Sequence, residues 1–178
     1  MSIRTTKSNS GFTIPELLLV LTITAMLLAA VTVAFNASIT NYRENEDIFK
    51  TVNKARQALS RITTQIRTAG YDHPSFGLLC VPYDSLTNQC ELWTPEGVHI
   101  TYEYRDASDA TYPNTLLLVD NDTGTPYVLC DNVTAMSFIK TPTDDGLDCK
   151  SVQISITVAS GDIERTLSSA AVVRKVLE

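Results

Sequence analysis

The sequence predicts an α+β fold, in which one long N-terminal helix lies on an antiparallel β-sheet. Three observations carry that prediction. An unbroken apolar run extends from Phe12 to Phe35, with Glu16 as its single ionisable side chain. Beyond it Ile48, Val52, Ala55, Leu59, Ile62, Ile66 and Ala69 recur every three or four residues, the stripe of an amphipathic helix. After Gly70 the period changes to the alternation of short strands separated by turn residues. A helix with one apolar stripe and a sheet with one apolar face bury each other, which gives a layered α+β unit.

Residues 1–11 form a polar, basic head with Arg4, Lys7 and no acid. The run at residues 12–35 would span about 36 Å as a helix, enough for a hydrocarbon core of about 30 Å. Arg4 and Lys7 precede it and Glu44, Glu46 and Asp47 follow it, so the positive-inside rule places the head in the cytoplasm and the rest outside, in a single pass. The run is too long for the apolar core of an ordinary secretory signal, and the small residues Ala29, Ala30 and Ala34 sit among apolar neighbours. Pro15 falls in the first turn, where its missing N–H costs no hydrogen bond. No proline follows between Leu17 and Phe35, so the helix is expected to be continuous. Glu16 near the start of the run gains from the helix dipole, but a lone carboxylate in hydrocarbon costs several kcal/mol unless it is paired.

From Asn36 to Ala69 there is neither Pro nor Gly, and Gly70 supplies a C-terminal cap. One helix from about Thr13 to about Ala69 is predicted, lipid-facing over 12–35 and amphipathic over 36–70, with the polar stretch Asn41–Asp47 as a softer join. Only about three heptads are available for a coiled coil, so the stripe is expected to pack on the chain's own sheet.

The remainder, 71–178, reads as a globular β domain. Strands are predicted at Val98–Tyr104, Thr115–Val119, Tyr127–Cys130, Val133–Lys140, Val152–Val158 and Thr166–Val173. Turn signals separate them at Pro113-Asn114, Asn121–Gly124, Asp144–Gly146 and Ser160–Asp162. Short connections between successive strands favour antiparallel pairing.

All four cysteines, Cys80, Cys90, Cys130 and Cys149, lie in this domain, which suits disulfides in an oxidising compartment. Sequence neighbours pair most simply as Cys80–Cys90 and Cys130–Cys149, although four cysteines allow three connectivities. No Cys-x-x-Cys pair supports zinc, so no metal and no cofactor is expected. His73 precedes Pro74 in a turn and His99 sits in an alternating strand, neither within a nucleophile motif. Asp144, Asp145 and Asp148 surround Gly146, but their spacing matches no EF-hand loop. Trp93 and Tyr71 fit either the core or a partner contact. The net charge is −6, and removal of the head with its two cations leaves about −8, with no basic cluster of the kind that binds nucleic acid. No phosphate-cradling glycine loop and no small-molecule site appear, and an enzyme is not expected.

The segment Gly11-Phe12-Thr13-Ile14-Pro15-Glu16-Leu17-Leu18, behind its basic leader and before its apolar run, resembles the processing motif of type IV prepilins and type II secretion pseudopilins. The resemblance implies cleavage between Gly11 and Phe12 by a prepilin peptidase on the cytoplasmic side, N-methylation of Phe12, and a role for Glu16 in recruiting the subunit into a filament. Glycine lets the backbone enter a tight cleft, and a Glu16 carboxylate paired with a neighbouring Phe12 amine would satisfy two charges that are costly alone. Pro15 stands where the family more often has an aliphatic residue, and the absence of a mid-helix proline is closer to pseudopilins and minor pilins. The ending Arg67-Thr-Ala-Gly-Tyr71 is similar to that of PilW-like minor pilins and J-type pseudopilins. The implied partners are other pilin or pseudopilin subunits, the peptidase and methyltransferase, and the inner-membrane assembly machinery. The implied location is the inner membrane, then a periplasmic or extracellular filament. An uncleaved single-pass anchor carrying a binding domain or adhesin is the alternative reading, and an anchored extracytoplasmic enzyme a third.

Overall fold

The structure is a computed structural model that describes residues 13–75 and 77–176. The chain forms two compact units, Met1–Arg43 and Glu44–Glu178. Helix α1, Ile14–Thr68, supplies all the described structure of the first unit beyond Thr13 and the opening element of the second.

In the first unit every large apolar side chain from Ile14 to Phe35 that flanks Glu16 or follows it is exposed, Leu17, Leu21, Leu28 and Phe35 among them. By length and composition α1 is apolar enough to cross a membrane. Three threonines interrupt the helical part of the run, from Ile14 to Phe35, and each returns its hydroxyl proton to the helix. Thr22 donates to Leu19 O, Thr24 to Val20 O and Thr32 to Leu28 O, all at 2.8 Å. Each hydroxyl donor is thereby satisfied without water, as a hydrocarbon environment requires.

The second unit begins with the amphipathic half of α1. Ile48, Ala55, Leu59, Ile62 and Ile66 are buried as the stripe predicts, and Thr51, Ala58 and Thr63 widen the buried face. Val52 is half-buried against the same core. The helix ends at Thr68. Gly70 follows with φ +141°, its N–H bonded to Trp93 O at 3.0 Å and its carbonyl accepting from Lys175 Nζ at 2.9 Å. A Cβ at Gly70 would lie 2.4 Å from the Lys175 side chain, so both backbone angle and space select glycine.

Nine strands follow, and every pairing is antiparallel. A hairpin joins β1 (Tyr71–His73) to β2 (Gly77–Leu79). Four strands form one sheet in sequence order: β3 (Gln89–Trp93), β4 (His99–Arg105), β5 (Thr115–Asp120) and β6 (Thr125–Cys130). Three form another: β7 (Val133–Pro142), β8 (Cys149–Ser160) and β9 (Ile163–Val172). The expected single sheet is therefore divided in two. Between the last strand of one sheet and the first of the other stand only Asp131 and Asn132, and Asn132 takes φ +57° at that break. Gly161-Asp162 joins β8 to β9 in a two-residue turn with positive φ at Gly161 alone, as a type II′ hairpin requires.

The sheets and helix meet in one core that includes Ile62, Ile66, Leu92, Tyr102, Leu116, Phe138, Ile154 and Ile156. Polar contacts fix its margins. The Tyr102 hydroxyl bonds Gln65 of the helix. Tyr104 reaches Thr134 O at 3.1 Å, and Lys54 pairs with Asp131 at 2.8 Å. Burial, as its largest cause, pushes the Tyr102 phenol up to about 12.

Candidate functional site

The residues that carry the chemical expectation lie at the start of α1. Gly11 and Phe12 fall outside the described residues. The helix begins at Ile14, and its first turn holds Pro15 and Glu16, with Leu17 N–H bonded to Thr13 O at 3.1 Å. Pro15 thus occupies a position that needs no amide donor. Glu16 is exposed and makes no hydrogen bond or ion pair among the described residues. Its neighbours one and two turns on are Leu19, Val20 and Ile23, all exposed. The site is therefore a single unpartnered carboxylate on an apolar cylinder that is itself uncovered. Two requirements remain open on this surface, a counter-charge for Glu16 and an apolar environment for the helix.

The four cysteines are elsewhere. Cys80, Cys90, Cys130 and Cys149 are all buried, and in this structure all four are thiols. Their surroundings differ. Cys130 donates to Asp131 O and senses Asp131 and Lys54, whereas Cys149 senses Lys140 and Asp84. Cys80 faces Asp148, Lys175 and Asp72. Cys90 and Cys149 share Lys140 and Asp84 as neighbours, and Cys80 and Cys149 share Asp148. Desolvation by burial is the largest cause at each thiol. It pushes Cys90 up to about 12 and Cys80, Cys130 and Cys149 up to about 11.

The remaining candidates are engaged in local structure. His73 Nδ1 accepts from Ser75 N–H at 3.1 Å. His99 stacks on Trp93 with ring centroids 4.0 Å apart and bonds Glu91, so Trp93 is a half-buried platform on the sheet. Tyr71 lies edge-on to His73. Asp144 pairs with Lys150 at 2.6 Å, and Asp145 accepts from Thr143 and from Leu147 N–H. Hydrogen bonds from Thr143 and Leu147 hold the Asp145 carboxyl below the usual range, while burial raises that of Asp148. Asp120 closes its turn by accepting from Asp122 N–H at 2.9 Å. Among the described residues no three His, Cys, Asp or Glu side chains converge as a metal site would need.

Sequence reading did not single out the pair Lys140–Asp84, 2.5 Å apart, although the Lys140 side chain is only 2% exposed. Its signal was the alternation of β7, which puts Lys140 on the inward face with Met136 and Phe138.

Residues 6–32 match the family model of the prokaryotic N-terminal methylation motif, a span that contains Gly11, Phe12 and Glu16. No curated protein matches the chain, and no solved structure does. The motif, followed by an apolar helix that fits a membrane anchor, supports a place for the chain in the type IV pilin-like and pseudopilin family, whose members are structural subunits.

Proposed function

We propose that the chain is a minor pilin-like subunit of a type IV pilus, working in a tip or initiation complex. It is cleaved between Gly11 and Phe12 by a prepilin peptidase, methylated on Phe12, held in the inner membrane by residues 12–35, and then drawn into a filament. The uncovered helix with its unpartnered Glu16, lying inside the matched motif, carries this reading. In a filament the apolar side chains from Leu17 to Phe35 would pack against those of sister subunits. The Glu16 carboxylate would take a subunit's Phe12 amine as counter-charge, and such pairing is favourable only where both groups leave water together. The globular domain would stand outside the membrane and dock on neighbouring subunits. The chain would act as the peptidase's substrate and catalyse nothing itself.

A J-type pseudopilin of a type II secretion system is the second reading. The continuity of α1 through 17–35 without proline suits it as well as it suits a minor pilin. The anchored adhesin is the reading of another class.

Glu16→Ala in the native host separates assembly from anchoring. The expected variant is cleaved and membrane-resident but absent from sheared filaments or secretion pseudopili. Incorporation at the wild-type level would overturn the assembly role of Glu16 and leave the anchored binding protein as the better reading.

A further inference from the structure

Strand β9 is an edge strand, paired to β8 from Ile163 to Val172 and to nothing on its other side. Among the described residues its outer main-chain groups make a single hydrogen bond, from the Arg165 guanidinium to Glu164 O at 3.1 Å. Edges of this length are ordinarily guarded by charge, proline or a bulge. The stretch Thr166-Leu-Ser-Ser-Ala-Ala-Val172 has none of these, and its register with β8 is unbroken.

Beside this edge runs a groove of about 480 Å³ between β9 and α1. Ser168 and Ser169 form one wall and Arg56, Ser60, Thr64 and Arg67 the other, and no carboxylate lines it. Several arginines of this unit have no ion pair among the described residues, Arg61 and Arg165 included, but Arg56 and Arg67 are the two that line this groove. Lys54, Arg105, Lys140 and Lys150 all have carboxylate partners, whereas Arg56 and Arg67 have no ion pair among the described residues. An acidic protein thus presents two unmatched guanidiniums beside an unguarded strand edge.

We propose that this groove receives an extended, acidic segment of a different, neighbouring subunit, which adds to β9 as a further strand and sets carboxylates against Arg56 and Arg67. The identity of the neighbour as a fellow filament subunit rests on the reading above. The geometry limits the segment. Arg56 and Arg67 are eleven positions apart (67 − 56) on a helix, or about 16 Å, which an extended chain covers in about five residues. Carboxylates on one face of a strand are an even number of residues apart, so the matching segment carries two acids spaced by four or six. Main-chain hydrogen bonds supply affinity in such strand addition, and the bidentate arginine–carboxylate contacts supply register. A second copy of this chain fits poorly, because none of the edge strands β3, β6, β7 and β9 carries two acids, and β6 contains Pro126.

Two measurements test this. In the first, a photo-crosslinking benzoylphenylalanine replaces Ser168 of the full chain in its native host, and adducts are mapped by mass spectrometry. The expected adduct lies on a segment of another subunit with acids spaced by four or six, and it falls at least ten-fold with Arg56→Glu and Arg67→Glu together. No adduct, an adduct indifferent to the charge reversal, or an adduct on a second copy overturns the proposal. In the second, the detergent-solubilised full chain is titrated with a labelled peptide of alternating threonine and valine bearing two glutamates four residues apart. Binding that the double reversal weakens ten-fold or more, and that Arg56→Lys with Arg67→Lys weakens less, is expected. Absent or unaltered binding overturns the groove while leaving the N-terminal assembly reading intact. Conversely, the Glu16→Ala result can fail without touching this titration.

Discussion

Two charged residues define the extremes of cost in this chain. Lys140 is paired and hidden, with its side chain 2% exposed and Asp84 at 2.5 Å. Removing one partner of a buried pair costs about 3–5 kcal/mol, because the other charge is then stranded. Asp84 is 29% exposed, which admits water and brings the expectation for Asp84→Ala to about 2–3 kcal/mol. Lys140→Met, which removes the charge and keeps the stem, should cost less than Asp84→Ala. Urea midpoints of the two variants check the order, and equal or reversed costs would mean that Lys140 is solvated in solution. Glu16 is the opposite case, exposed and without a partner among the described residues. Its unusual position was legible in the sequence because it is the one acid of an apolar run. Lys140 was legible only in part, since the alternation of β7 sets it in phase with Met136 and Phe138 but does not show that Asp84 meets it.

At the scale of elements, the helix stripe was read correctly from its spacing alone, since burial every three or four residues is imposed by helix geometry. Ile62 is fully buried at the centre of that stripe. Ile62→Ala should therefore cost about 2–5 kcal/mol in the domain's unfolding free energy, whereas Leu27→Ala, on the uncovered part of the same helix, should leave it unchanged. Chemical denaturation of the detergent-solubilised chain distinguishes them. The strands β4 to β9 were legible by alternation or by an apolar run. The hairpin β1–β2 was not, because three residues per strand are too few to show a period. The splitting of one expected sheet into two was invisible for a related reason. It depends on the left-handed turn at Asn132, a conformation that asparagine permits but does not announce. Gly70→Ala forces a Cβ to 2.4 Å from Lys175, so a loss of more than about 1 kcal/mol is expected in the same assay.

For the whole molecule, the thiols and Tyr102 set the alkaline limit. Folding raises each cysteine from 9.0 to about 11 or 12, and Tyr102 from 10.0 to about 12. Above pH 9 the unfolded chain releases protons that the folded chain retains, so stability is fully present below pH 9 and declines as pH rises toward 11. Melting temperatures from pH 7 to 11 should be level to about pH 9 and then fall. A level profile throughout would contradict the thiol assignment and indicate bridged sulfurs. The sequence implied an oxidising compartment from the cysteine count, but spatial neighbours depend on the order of strands, and strand order is a property of the complete fold.

The central claim is that the chain is processed at Gly11 and enters a filament, and the most direct test is the intact mass and N-terminal peptide of the protein from native membranes. The account predicts a chain that begins at N-methylated Phe12. A chain that begins at Met1 would contradict it and leave a simple membrane-anchored domain, and one that begins beyond Phe35 would remove the assembly role of Glu16 altogether.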